Sequence, residues 1–517
     1  MHIKNSILLL LTVVIIASSC KNTKKEKVQS KPNVIVIYAD DLGYGDLSCY
    51  GATGVKTPNI DYLAEHGLRF TDAHSTASTC TPSRFSMLTG SYAFRNNAAI
   101  LPGSAPLLIR PGTPTLPGMF QNNGYHTAVI GKWHLGLGNG MPTWNDSLKP
   151  GPLEIGFNYA FIVPATLDRV PTVFVENHHV VGLEKSDTIA ISYEHKVGNL
   201  PTGLEHPEMT RMLADSQHSG TIIDSISRIG FMAGGKAAWW KDEDITGRVV
   251  NKVKAFIHQN KQNPFFLYFA PTDVHVPRAP NARFKGASKM GPRGDAIAEL
   301  DWSVGEVIKY LKEEGLTDNT LIIFSSDNGP VLDDGYQDQA EALVGTDRPW
   351  GPFNGGKYSA FEAGTRMPTI AYWPGRIKKA VNNALFSHVD LYASLADLIG
   401  HKLSPDEAPD SYDMLPVIMG KSAHGRDTML EESYTLSLRT GNLKYIAPQT
   451  APTPDWMKNK KIPTGLSTAP QLYDLTTDTA EHNNIATQQP DRAKAMQAAI
   501  TQIMAKGTRP GYQAKHY

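Results

Sequence analysis

Apolar residues in this chain gather into short continuous runs that stop abruptly at polar, ligand-type side chains. Asn33 to Tyr38 is almost unbroken and β-branched, the pattern of a strand covered on both faces, and it ends in Asp40-Asp41. His126 to Ile130 reads as a second strand and runs into Gly131-Lys132-Trp133-His134-Leu135-Gly136. Pro264 to Ala270 leads into Asp273-Val274-His275, and Leu321 to Phe324 into Asp327-Asn328-Gly329-Pro330. Between them, residues 244–258 and 296–314 carry apolar side chains at three- and four-residue spacing, which predicts amphipathic helices. Thr57-Pro58 starts a shorter helix that closes at Gly67, with threonine as N-cap and proline in the first turn. This alternation predicts an α/β sandwich with a large, mostly parallel central sheet flanked by helices. The polar residues just past the strand ends then meet at the sheet edge where such folds bind ligands.

The texture changes at both ends. Residues 439–446 and 471–475 predict short strands and 490–506 a closing helix, so 33–400 is expected to be a catalytic domain and 401–517 a smaller α+β subdomain with a short antiparallel sheet. At the N-terminus an apolar run, Ile7 to Ile16, leads into Ala17-Ser18-Ser19-Cys20. It is too short to span a bilayer comfortably and reads as a signal peptide over residues 1–19, followed by a flexible tether over 20–32. Cysteine after small residues resembles a bacterial lipobox. That implies a lipidated Cys20 and an exported lipoprotein, periplasmic or cell-surface, of a Gram-negative bacterium, touching membrane through the lipid only. The chain of 517 residues balances 50 Lys+Arg against 50 Asp+Glu, so no bulk charge points to nucleic acid. Cys20, Cys49 and Cys80 are the cysteines, too few for a disulfide framework.

The candidate chemistry begins at Cys80-Thr81-Pro82-Ser83-Arg84, followed by Leu88-Thr89-Gly90. A thiol here opens a helix, facing unpaired backbone N–H groups and the positive end of the dipole, a place to attack or hold an anion. Asp40, Asp41, Asp327 and Asn328 supply hard oxygen donors at two strand ends, a set suited to Ca²⁺ or, second, Mg²⁺ rather than zinc. Lys132 and His134 stand two apart after a strand and can project into the same cleft.

These motifs resemble the type I sulfatases, formylglycine-dependent enzymes of the alkaline-phosphatase-like superfamily. The resemblance spans roughly residues 33 to 400 and, more weakly, Gln471 to Leu475. It implies that a sulfatase-maturating enzyme oxidises Cys80 to formylglycine. It implies too that Asp40, Asp41, Asp327, Asn328 and the modified Cys80 bind Ca²⁺, and that Arg84 and Lys132 support the modified residue. By the same resemblance His134 acts on a formylglycine hydroxyl, while His275 and Lys357 meet the sulfate and the leaving oxygen. Lys357 sits in Gly-Gly-Lys-Tyr-Ser-Ala-Phe-Glu-Ala-Gly-Thr-Arg, where Ala363 replaces the second residue of the family's usual Glu-Gly-Gly-x-Arg. The function expected is hydrolysis of sulfate esters on carbohydrates. The alternatives are a phosphoesterase on the same scaffold, a non-catalytic glycan-binding lipoprotein, and a thiol hydrolase using unmodified Cys80.

For the substrate, residues 170–179 resemble a segment of bacterial sulfatases acting on galactose or N-acetylgalactosamine. His178 is expected to bond an axial sugar hydroxyl, with Asp333, Asp334 and Arg348 on other hydroxyls. The preferred ester is 3-O-sulfated galactose, as in mucin glycans, ahead of the 4- and 6-O-sulfates of N-acetylgalactosamine.

Overall fold

The computed structural model describes residues 31–452 and 454–513; Cys20, with the signal peptide and tether through residue 30, lies outside them. Its centre is a ten-stranded sheet. Five strands run parallel in the order Thr320–Ser326, Asn33–Ala39, Phe265–Ala270, His126–Lys132 and Tyr159–Val163. Thr369–Tyr372 and Leu68–Phe70 add antiparallel pairings at one side, and the hairpin Val175–Glu176/His179–Val180 closes the other.

The continuous apolar runs are explained by burial on both faces. Val34, Val36 and Tyr38 enter one core with Phe85, Leu88, Phe120, Leu391 and Leu395. The intervening Ile35, Ile37 and Ala39 enter the other with Ile60, Leu63, Val249, Val253, Ile297 and Leu300. Helices Cys80–Thr89, Leu116–Asn122 and Leu391–Ile399 thus cover one face, and Pro58–His66, Ile245–Asn260 and Gly291–Glu313 the other. Truncating Ile35 to alanine in such a setting costs about 2–5 kcal/mol.

Three local details differ from the sequence pattern. The long helix starts at Gly291 instead of 296, because its first turn is anchored by charge: Arg293 Nη1 donates to Asp46 Oδ1 at 2.6 Å. Thr57 sits at the N-cap without capping through its side chain; its hydroxyl donates to Asp61 Oδ1 at 3.0 Å. Residues 439–446 form parts of two strands, Leu436–Thr440 and Leu443–Ile446, because Gly441, at φ 55°, opens a tight hairpin turn with Asn442.

That hairpin belongs to a separate antiparallel sheet, Thr428–Glu432, Leu436–Thr440, Leu443–Ile446 and Gln471–Asp474, covered by helix Pro490–Ala505. Leu430, Leu438, Tyr445 and Leu472 pack there against Met496 and Ile500. Buried charge docks this sheet on the main body: Glu362 accepts from Arg439 at 2.8 Å and from Lys444 at 3.1 Å.

Candidate active site

The carboxyl ends of the parallel strands deliver the polar loops to one place. Asp40 and Asp41 follow Ala39, Lys132 ends its strand, His275 lies past Ala270, and Asp327 and Asn328 follow Ser326. Asp41 and His134 take left-handed backbone conformations, φ 58° and 53°, so each chain turns sharply off its strand. Helix Cys80–Thr89 brings the thiol from the neighbouring layer and ends at Gly90, whose φ of 64° suits glycine.

Cys80 lies at the bottom of the cleft, 2% exposed. Its Sγ is 3.2 Å from His134 Nδ1, while His134 Nε2–H donates to the Leu101 carbonyl at 2.8 Å. That second bond fixes the tautomer: the proton is on Nε2, and Nδ1 turns a lone pair toward residue 80. Burial, reinforced by Lys132 and Arg169, holds His134 well below the ordinary imidazole range, so it stays a neutral base. Burial also pushes the Cys80 thiol up, against the pull of Lys132 and Lys357. An unmodified thiol here is a poor nucleophile, which argues against a simple thiol hydrolase.

Around it, cations and carboxylates interlock. Lys132 Nζ donates to Asp40 Oδ1 at 2.7 Å, and Arg84 binds Asp327 Oδ2 through Nε at 2.9 Å and Nη2 at 2.7 Å. Asn328 Nδ2 donates to Asp41 Oδ1 at 2.7 Å. Lys357 Nζ reaches Asp41 Oδ2 and Asp334 Oδ2, both at 2.9 Å, and His275 Nε2 at 3.3 Å. His275 Nδ1–H donates to the Val276 carbonyl at 2.6 Å, and burial and Lys357 bring the ring down to about 4, so its Nε2 is an acceptor for Lys357. Within this set of strand-end donors, Asp40 Oδ2 and Asn328 Oδ1 are buried without a hydrogen-bond partner. Burial raises the Asp40 carboxyl to about 8 despite Lys132. These unpartnered buried oxygens fit a hard cation, and ligand atoms of Asp40, Asp41 and His275 lie within 4.8 Å of one another beside them.

The structure therefore brings together Asp40, Asp41, Cys80, Arg84, Lys132, His134, His275, Asp327, Asn328 and Lys357. It does not bring His178, Asp333 or Arg348 into the cleft that holds Cys80. His178 sits in the edge hairpin with Nε2 against Glu154 Oε1 at 3.0 Å. Asp333 turns away to cap the Gly335 N–H at 3.1 Å, and Arg348 is exposed. The cleft is lined instead by Asp168, Arg169, His218 and Asp334. Arg169 Nη1 donates to Asp168 Oδ1 at 2.9 Å, and His218 bridges Asp168 and Asp215 at 3.4 and 2.7 Å. For Asp168 and Arg169 the sequence signal is position, immediately before the segment 170–179; His218 carries no comparable signal. Ala363 is buried with no left-handed backbone, so alanine fits that place without strain.

The sulfatase family profile matches residues 32–401. This chain belongs to the sulfatase family. It is 49% identical over 480 residues to the N-acetylgalactosamine-6-O-sulfatase of Bacteroides thetaiotaomicron, covering 92% of this chain and 94% of that protein. It is 30% identical to human arylsulfatase A, covering 89% and 84%. A solved Bacteroides thetaiotaomicron structure from work on the metabolism of multiple glycosaminoglycans superposes with a TM-score of 0.90 at 49% identity, covering 92% of this chain and all of that one. A Pseudoalteromonas sulfatase, PsFucS1, does so with a TM-score of 0.67 at 26% identity, covering 94% and 92%. The sulfatase is thus a sulfuric ester hydrolase with the alkaline-phosphatase-like fold.

Proposed function

We propose that this sulfatase removes the 6-O-sulfate of N-acetylgalactosamine residues in glycans, after a maturating enzyme has converted Cys80 to formylglycine. The reading of the chemistry is carried by His134, whose unprotonated Nδ1 is aimed at residue 80 by the bond from Nε2 to Leu101. The choice of ester is supported by the 49% identity to an N-acetylgalactosamine-6-O-sulfatase, and takes the place of the 3-O-sulfated galactose preferred on sequence.

The formylglycine supplies a hydrated aldehyde hydroxyl as nucleophile. Asp40, Asp41, Asp327 and Asn328 would hold Ca²⁺, which supplies neutralising charge beside the sulfate oxygens. The protein's own residues do the rest. Lys132 and Arg84, buried against Asp40 and Asp327, fix those carboxylates in place. His134 Nδ1 takes a proton from residue 80. Lys357, the cation shared by Asp41, Asp334 and His275, is assigned the proton for the departing sugar oxygen. Net, one water is consumed, the sugar hydroxyl is restored and sulfate leaves. The depth of Cys80 keeps bulk water from competing. Asp168, Arg169 and His218 present mixed donors and acceptors to the sugar ring. We also propose that the protein is exported and held to the envelope by a lipid on Cys20, on the pattern of residues 7–20.

A panel of galactose 3-sulfate and N-acetylgalactosamine 4- and 6-sulfates, with the matching 6-phosphate, tests the assignment. Turnover should be greatest on the 6-sulfate of N-acetylgalactosamine; a preference for another ester overturns the choice of sugar. Cys80→Ala should give a folded, inactive protein, and retained turnover in that variant sinks the formylglycine reading.

A further inference from the structure

The cleft does not end at the sulfate. From Lys357 a short ladder of rings leads to its mouth. Lys357 Nζ lies 5.2 Å from the Tyr358 ring centre, Tyr358 meets Trp456 edge-on at 5.0 Å and 70°, and Trp456 meets Tyr434 at 6.3 Å and 62°. All three rings line the same cleft as Cys80.

Trp456 and Tyr434 do not come from the strand ends that build the sulfate site. Trp456 lies in the turn Asp455–Asn459, within the long connection between the last two strands of the C-terminal sheet. Tyr434 lies in the turn between Thr428–Glu432 and Leu436–Thr440. Among the described residues neither ring joins an apolar core cluster, although large aromatic side chains normally supply core area. Both are half-buried at the opening. The connection carrying Trp456 is tied to the sulfate end by Lys460, whose Nζ is 2.8 Å from Asp334 Oδ1, on the carboxylate that also holds Lys357. Tyr358 is fixed from both sides: its N–H donates to the Ser78 carbonyl at 2.8 Å, and its carbonyl accepts from the Ser433 hydroxyl at 2.8 Å. Beside the rings, Glu432 and Ser433 add polar groups to the same wall.

We infer that Trp456 and Tyr434 form a second sugar subsite, a shelf for the pyranose linked to the sulfated one, so that the enzyme recognises a chain end of at least two sugars. Apolar C–H faces of a pyranose suit an aromatic surface, and its hydroxyls suit the flanking carboxyl group of Glu432 and hydroxyl oxygen of Ser433. The inference rests on the sulfated sugar lying beside Asp168, Arg169 and His218 as proposed above.

The test compares each sulfated monosaccharide of the panel with a disaccharide carrying the same sulfated residue at its non-reducing end, using full-length mature enzyme. Trp456→Ala is expected to raise KM on the disaccharide roughly tenfold, while kcat/KM on the monosaccharide stays within about twofold. Tyr434→Ala should act in the same direction and carries the test if the tryptophan variant fails to fold. Equal losses on both substrates, or no loss on the disaccharide, overturn the subsite. The ratio is read on whichever ester the wild type cleaves best, so an error in the sulfate position shows up separately in the wild-type panel.

Discussion

His388 offers a quantitative check on how this core is built. It is 1% exposed, beneath the strands that carry the catalytic loops. Its Nδ1 lies 2.9 Å from the Tyr38 hydroxyl and its Nε2 2.9 Å from Ser325 Oγ, whose own hydrogen can go to the Pro368 carbonyl at 3.1 Å. This network satisfies a neutral ring, and none of its partners is a carboxylate. Burial, with His74 adding, lowers the ring to about 3. The unfolded chain binds a proton near pH 6.5, so below that pH it holds more protons than the native state and stability falls as pH falls. The slope reaches its full value of about 1.4 kcal/mol per pH unit only well below pH 6.5, so integrated from pH 7 to 4.5 the loss is about 2.5 kcal/mol from this residue. His388→Gln removes the titration. At pH 7 the variant should be less stable by about 1–3 kcal/mol through lost or unmatched hydrogen bonds. Denaturant unfolding at half-unit steps from pH 7 to 4.5 should show the variant gaining about 2.5 kcal/mol relative to the wild type. A gap that does not change with pH would refute the neutral, unpaired burial of this ring.

Further outcomes concern the site directly. His134→Ala should lower kcat by about 10²- to 10⁴-fold with little change in KM, measured by steady-state sulfate release, since the base is lost while the pocket stays. Removing divalent metal with a chelator should abolish turnover, and Ca²⁺ should restore it better than zinc; Asn328→Ala should raise the Ca²⁺ concentration needed, read as the midpoint of reactivation. Arg169→Ala should reduce kcat/KM at least about tenfold on the preferred ester, whereas His178→Ala should leave it within about twofold, because one lines the cleft and the other is paired with Glu154.

What the sequence made legible follows its periodicity. Strands buried on both faces write themselves as unbroken apolar runs, and a loop at a strand end must sit at the sheet edge. Asp40, Asp327 and His134 could therefore be placed together without coordinates. Residues 164–244 behave differently. They are tied by very short strands and isolated bridges such as Arg169 with Ile229 and Ala214 with Tyr336, which leave no period to read. Reading onward from Val170 selects His178, yet the chain reverses in the edge hairpin and hands that ring to Glu154. Asp168 and Arg169, just before it, are the pair that reach the cleft. Trp456 was hidden for a related reason: its loop is long, polar and defined by where it lands.

The burial of helix Cys80–Thr89 bears on the order of events in the life of the protein. All ten of its residues are buried, and the thiol opens onto a cleft floor occupied by His134 and the cations around it. Another enzyme cannot seat this cysteine in its own active site without pulling the helix away from the sheet. If Cys80 is converted to formylglycine as proposed above, that oxidation belongs to the interval before the helix docks. On that reading a chain that folds first would keep its thiol and lack activity, so the active fraction of a preparation would record a race between folding and modification.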